Sequence, residues 1–327
     1  MKKVLLYGYF GFNNFGDEWL LNTTLKLFTI FSEKKEFFVL YNIKEKIKVV
    51  DKNVVYIPRW NIIEILKSVF QVDTVVSIGG LFQDKTSVSS LMYYLLILIF
   101  AKILNKKVFV LNTELDIKKL PKSFVVFLLN FFTDGILVRN KVDLKISKKT
   151  KFCPDICLYN FDEKQVDIEK KEIRTVGIVV KQTTNFVLLS EMCEVLSKQY
   201  KLVFIPFHIK EDYPFCLKLC ERLTSCEIRV WDRIENYKNM FADIDLIITS
   251  RLHGIILAGV LCKPFICISE EEKIKKMIKT TFELQPVSLF LWKQKRFCIT
   301  EENLFYPKID KIKEYKDLVL KRFYDLV

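Results

Sequence analysis

Residues 244–268 read IDLIITSRLHGIILAGVLCKPFICI, and the order of residue types in this stretch decides the fold class. The apolar run Ile244 to Ile248 predicts a buried strand, and Thr249-Ser250-Arg251-Leu252-His253-Gly254 a polar turn. An apolar helix follows to Leu261, and Lys263-Pro264 turns into a second strand, Phe265 to Ile268. In a strand, turn, helix, strand unit the turn lies at the helix N-terminus, where unpaired backbone N–H groups and the helix dipole favour an anion. Arg251 offers a fixed fork for phosphate or carboxylate, and His253 a side chain that moves protons near neutral pH. The chain has two histidines, His208 and His253, and each directly follows a predicted strand. Open α/β sheets bind ligands at that end of their strands. An isolated Arg-x-His is more often ordinary turn chemistry, so the weight falls on what surrounds it.

Working outward, the same alternation recurs. Strands are expected at Val4–Tyr9, Phe37–Tyr41, Val54–Ile57, Val72–Ile78, Val108–Leu111 and Gly135–Val138, then at Thr175–Val180, Leu202–Pro206 and Glu227–Val230. Helices are expected between them, among them Glu18–Phe31, Asn61–Phe70, Phe186–Gln199 and one near Tyr213–Leu223. The pattern predicts an α/β fold of two Rossmann-like domains with mainly parallel sheets. Residues 1–165 form the first domain and 172–305 the second, with the polar stretch Asp162 to Arg174 between them. In 306–327, Ile309, Ile312, Tyr315, Val319, Phe323 and Leu326 fall on one helical stripe, which is expected to pack back on the first domain.

Two glycine-bearing turns follow strands in the first half. GYFGFNNFGDE, residues 8–18, holds Gly8, Gly11 and Gly16, three of only nine glycines, with Asp17 or Asn14 available to cap the next helix. SIGGLFQDKTS, residues 77–87, holds Gly79 and Gly80, with Thr86 or Ser87 as the cap of an apolar helix. Neither has the spacing of the dinucleotide fingerprint.

Composition narrows the partners. The formal net charge of +13 points to an anionic partner, while the absence of an arginine-rich tract or a nucleic-acid motif argues against nucleic acid. The longest apolar run, Leu91 to Ala101, is short of the ~20 residues a membrane span needs. A cytoplasmic protein is expected, with at most peripheral contact at the inner membrane surface. Nine cysteines without a Cys-x-x-Cys pair or clustered histidines predict no metal site and reduced, unbridged thiols.

Together, GYFGFNNFGDE, SIGGLFQDKTS and SRLHGIILAGVLCKPFICIS resemble the motifs of the polysaccharide pyruvyltransferase family, close to its cell-surface anchoring branch. Pro154-Asp155-Ile156 and Pro206-Phe207-His208 are weaker matches. The resemblance implies two Rossmann-like halves facing a cleft, in the arrangement called glycosyltransferase B. It implies transfer of a pyruvyl group from phosphoenolpyruvate to a saccharide acceptor, free or lipid-linked, with a cyclic ketal formed, phosphate released and no further cofactor. For that chemistry His253 is the expected acid, and Asp17 or Glu18 the expected base or a contact to sugar hydroxyls. Arg251, Leu252, Arg139 and His208 are expected on the substrates, with Gly11, Asn14, Gly16, Glu18, Gly79, Gly80, Gln83 and Asp84. Asn112-Thr113-Glu114-Leu115-Asp116 stands where the family carries a glutamine-glycine-isoleucine-glycine-proline run, and Lys181-Gln182-Thr183-Thr184 where it carries an arginine and a tryptophan. A nucleotide-sugar glycosyltransferase of the same architecture, and a binding protein without turnover, are the alternatives.

Overall fold

The computed structural model describes residues 3–31, 35–47, 49, 53–84, 87–165, 172–269, 271–281, 297, 299 and 304–326. The chain divides into two compact units. The first comprises Met1–Phe12, Asp17–Tyr159 and Asp317–Val327, and the second Asn13–Gly16 and Asn160–Lys316. Thr86 and residues 166–171 of the polar stretch lie outside the described residues.

The first unit is built on seven parallel strands: β1 (Lys3–Tyr7), β2 (Glu36–Tyr41), β3 (Val54–Pro58), β4 (Thr74–Ile78), β5 (Lys107–Thr113), β6 (Gly135–Val138) and β7 (Thr150–Phe152). Their order is β3-β2-β1-β4-β5-β6-β7. Four helices connect them, α1 (Phe15–Phe31), α2 (Ile62–Gln71), α3 (Val88–Ile103) and α4 (Lys122–Phe132). Alternation along β1 sends Leu5 and Tyr7 into one core with Ile65 and Val69 of α2, Leu95 and Leu98 of α3, and Val125 and Leu129 of α4. Val4 and Leu6 are buried as well, so the strand reads as a continuous apolar run, as a sheet covered on both faces requires. Asn61 and Ser87 cap α2 and α3 with their side-chain oxygens.

The second unit has five parallel strands, β8 (Thr175–Val179), β9 (Lys201–Phe204), β10 (Glu227–Ile228), β11 (Leu246–Thr249) and β12 (Phe265–Cys267), in the order β10-β9-β8-β11-β12. Its helices are α5 (Phe186–Leu196), α6 (Ile209–Cys220), α7 (Tyr237–Met240), α8 (Leu252–Val260) and α9 (Glu272–Thr281). From Gly254 to Val260 every residue of α8 is buried, which is why that segment is apolar on all sides. The last helix, α10 (Ile309–Tyr324), buries Ile312, Tyr315, Val319 and Phe323. Within the first unit, the Phe323 ring meets Phe28 edge-on at 5.5 Å, and Arg322 Nε donates to the Phe152 carbonyl at 2.9 Å.

Three readings of the sequence change. Helix α1 starts at Phe15, because Asn14 Oδ1 accepts the Gly16 N–H at 3.2 Å and caps it there. Helix α6 starts at Ile209 rather than near Tyr213, and Pro214 lies inside it. Asp212 causes the early start, since its carboxylate takes the His208 N–H at 2.8 Å while its own N–H donates to the His208 carbonyl at 2.7 Å. Finally, Cys220 and Cys226 form a disulfide, which corrects the expectation that every thiol is unbridged. The chain leaves α6 at Cys220 and reverses into β10, bringing the two Cα atoms to 5.8 Å, within bridging range. The spacing of Cys216 and Cys220 along a helix face gave no hint of this partner.

Candidate functional site

Each sheet has one place where the strand order reverses, between β1 and β4 in the first unit and between β8 and β11 in the second. Connections there leave the two strands in opposite directions and open a crevice at the carboxyl ends. The motifs singled out in the sequence stand at these two places.

In the second unit, Thr249 Oγ1 at the end of β11 donates to the Val179 carbonyl of β8 at 2.8 Å and accepts the Arg251 N–H at 3.0 Å. Ser250 Oγ accepts the Lys181 N–H at 2.9 Å. These bonds tie the two strand ends together and fix Arg251 as the residue preceding α8, with Leu252 and His253 in its first turn. A Cβ on Gly254 would come within 2.2 Å of Thr249 Oγ1, so only glycine lets the helix start so close to the strand.

Asp212 was missed by the sequence reading, and it organises this turn. It is fully buried, pairs with the Arg251 guanidinium, and accepts the N–H groups of His208 at 2.8 Å and Gln182 at 3.3 Å. One carboxylate thus orders the ends of β8, β9 and β11. Among the described residues Asp212 is the only side chain bonded to the Arg251 guanidinium, whose buried Nε has no partner. His208, 7% exposed, likewise has an Nδ1 without a partner, and its Nε2 lies 3.9 Å from Glu211. Burial lowers the His208 pKa, Glu211 raises it and Arg251 lowers it again; the net direction is down, toward the neutral imidazole. Lys181 is engaged by Glu271 at 2.9 Å.

Gly16 belongs to this unit too. A Cβ there would lie 2.1 Å from His253 Nδ1, so the imidazole packs directly on the glycine backbone. Phe15 stacks on Phe207 at 4.3 Å and donates its N–H to the Phe207 carbonyl at 2.7 Å, while Asn14 bridges to His208. The first motif therefore contributes Asn14 and Gly16 to the surroundings of both histidines.

In the first unit, Gly79 at the end of β4 has φ of +94°, a conformation open to glycine, and its Cβ position would be 3.9 Å from Asp17 Oδ1. Gly80 would come within 3.6 Å of Arg139. Arg139 meets two carboxylates, Glu114 at 3.1 Å and Asp155 at 3.7 Å. Asn112, at φ of +55° where the β5 register shifts, donates Nδ2 to Asp155 at 3.1 Å and accepts the Ile156 N–H at 3.1 Å. Asparagine tolerates that backbone region better than most residues.

Two of the residues expected on the substrates turn inward. Glu18 is fully buried and holds the Gly11 N–H at 2.7 Å and the Tyr41 hydroxyl at 3.1 Å, so it fixes the loop that Gly11, at φ of +80°, allows. Asp84 is fully buried and accepts the N–H groups of Lys118, Lys119 and Leu120 at 2.7, 2.6 and 2.7 Å. Burial raises its pKa, but the three donors outweigh that and the net shift is downward. Gln83 pairs its backbone with Asp116.

The family model for polysaccharide pyruvyl transferase matches residues 14–272, most of the chain. The chain belongs to the polysaccharide pyruvyl transferase family. Membership brings the coarse activity, that of a transferase, and spans both units from Asn14 to Glu272. No curated protein matches this chain in sequence. Solved structures match its fold. A UDP-GlcNAc 2-epimerase from Methanocaldococcus jannaschii, in complex with UDP-GlcNAc and UDP, has 12% identity and a TM-score of 0.56, with 100% of each chain covered. A protein described as a UDP-N-acetylglucosamine 2-epimerase from Listeria monocytogenes has 11% identity and a TM-score of 0.56, covering 99% of this chain and 98% of its own. The S. aureus MnaA–UDP structure has 11% identity and a TM-score of 0.51, covering 100% and 98%. At such identities the likeness concerns the fold alone, which is of the glycosyltransferase-B type. Among the described residues, no helix is long and apolar enough to cross a membrane.

Proposed function

We propose that this transferase moves a pyruvyl group from phosphoenolpyruvate to two hydroxyls of one sugar in a cell-surface polysaccharide precursor, free or lipid-linked. In that reaction the C2–O bond to phosphate breaks and C2 forms two bonds to sugar oxygens. One hydroxyl proton ends on C3, which becomes a methyl group, and the other leaves with phosphate. The observation that carries the reading is the Arg251 turn, where a guanidinium with an unmatched buried Nε precedes the first turn of α8 at the strand-order reversal. A dianionic phosphate with a carboxylate suits such a place.

We assign Arg251 to the donor's anionic groups, with His208 beside it, and His253 to delivery of the proton to C3. Asp17 of the first unit is assigned to accept a hydroxyl proton, and Arg139, Gly79 and Gly80 to the acceptor side. The test is phosphate release from phosphoenolpyruvate against a panel of free and lipid-linked saccharides, with donor binding measured alongside. Saturable binding of phosphoenolpyruvate and acceptor-dependent phosphate release are expected. Saturation by uridine nucleotides instead would favour a glycosyltransferase, and donor binding without release a protein that has lost turnover.

A further inference from the structure

Helices α2, α3 and α4 share one core against the first sheet, filled by Ile65 and Val69, Leu95 and Leu98, and Val125 and Leu129. With that core satisfied, the outward sides of the helices are expected to be polar. They are not. On α2, Ile63 is 64% exposed and Phe70 60%; on α3, Leu96 is 58% and Ile103 66%; on α4, Phe127 is 60% and Phe131 66%. Leu66 and Phe124 are exposed too. Spacings of three, four and seven residues put each set on one side of its helix, giving a second apolar stripe apart from the core stripe. Phe70 and Phe100 meet edge-on at 5.9 Å and join α2 to α3. Single exposed apolar residues are ordinary, but stripes on three helices of one layer mark a contact surface.

Charge decides what fits that surface. Across the three helices the only acidic residue is Glu64, and Lys67 pairs with it at 2.9 Å. Lys118, Lys119 and Lys122 stand exposed at the start of α4, and Lys107 just beyond the end of α3. Of the nearby aspartates, Asp134 pairs with Lys102 at 2.6 Å and Asp116 lies 3.9 Å from Lys118. We propose that the outward face of α2, α3 and α4 is a docking surface for an anionic lipid bilayer. Its phenylalanine and isoleucine side chains enter the boundary between headgroups and acyl chains, and the lysines meet the headgroup phosphates. A second copy of the chain is a poorer fit, because it would bring the same lysines together with few carboxylates to oppose them. The proposal is independent of the pyruvyl-transfer reading.

The test floats the full chain on vesicles of phosphatidylcholine alone or with about one third phosphatidylglycerol. Flotation only with the anionic vesicles, weakening as salt is raised, is the expected result. Phe124→Ser, Phe127→Ser and Phe131→Ser together should cut the bound fraction about tenfold or more, and Lys118→Gln about fivefold. Far-UV circular dichroism and the melting temperature serve as the fold control; should the triple variant misfold, Ile63→Ser with Phe70→Ser on α2 replaces it. The proposal falls if the chain floats with neither vesicle, if the folded apolar variants bind like the parent, or if light scattering shows a dimer that the same variants dissolve.

Discussion

An arginine follows a strand in each unit, Arg139 after β6 in the first and Arg251 after β11, at the strand-order reversal, in the second, and their surroundings differ. Arg139 stands between Glu114 and Asp155, so carboxylates outnumber the cation. Among the described residues Arg251 pairs with Asp212 alone, and that carboxylate also accepts two backbone N–H groups, one of them from His208. A guanidinium already held by two acids has little attraction left for a third anion, whereas one sharing a single acid at a helix N-terminus keeps much of it. The difference teaches that the acids around an arginine, more than the strand end it follows, set how much of its charge is left for an incoming anion.

The comparison breaks most readily at the arginines. Arg251→Ala should weaken phosphoenolpyruvate binding by about 2 to 4 kcal/mol, while Arg139→Ala should leave donor binding within about twofold. Calorimetric titration of both variants checks it, and equal losses would erase the distinction. His253→Gln should preserve donor affinity and lower turnover by about a hundredfold, removing one limb of the pH profile. Turnover within a fewfold of the parent would leave His253 a residue of the turn only. Gly16→Ala sharpens the same point from the first motif, since the added methyl would meet His253 Nδ1. A turnover loss of about tenfold to a hundredfold is expected, with the melting temperature showing whether the fold survives.

Smaller effects concern pH. The Asp84 pKa is depressed, so its contribution to stability is present above the ordinary carboxylate value and fades as pH falls through the folded one. Asp84→Asn should therefore flatten the acid limb of a stability profile below about pH 4. The His208 pKa is also depressed, so the stability linked to its neutral form is present above about pH 6.5 and lost as pH falls toward the folded value. His208→Gln should flatten the profile just below about pH 6.5, by less than Asp84→Asn does near its own limb.

Most of this fold was legible because it follows from apolar runs alternating with helices, and the turn at 249–254 sits where the sequence reading placed it. What escaped was carried by single polar side chains that act over distance in the chain. Asp212 lies in an unremarkable helix, and nothing local says that its carboxylate reaches residues 182, 208 and 251. Glu18 and Asp84 are expected on the substrates through the resemblance of their motifs, and the motifs do not show that both are buried. Burial gives them another task, Glu18 holding the Gly11 N–H and Asp84 those of Lys118, Lys119 and Leu120. Asn112 looked like a departure from the family pattern, but its left-handed backbone and its bond to Asp155 give it a structural role.

The assignment of Asn13–Gly16 to the second unit and Asp317–Val327 to the first means that no single cut in the gene yields either unit whole. A fragment starting at 160 would lack Phe15 and leave the Phe207 carbonyl and ring without their partner. One ending at 159 would lack Phe323, uncovering Phe28. Dissecting this chain calls for grafting, with residues 13–16 spliced ahead of the later fragment and the final eleven appended to the earlier one.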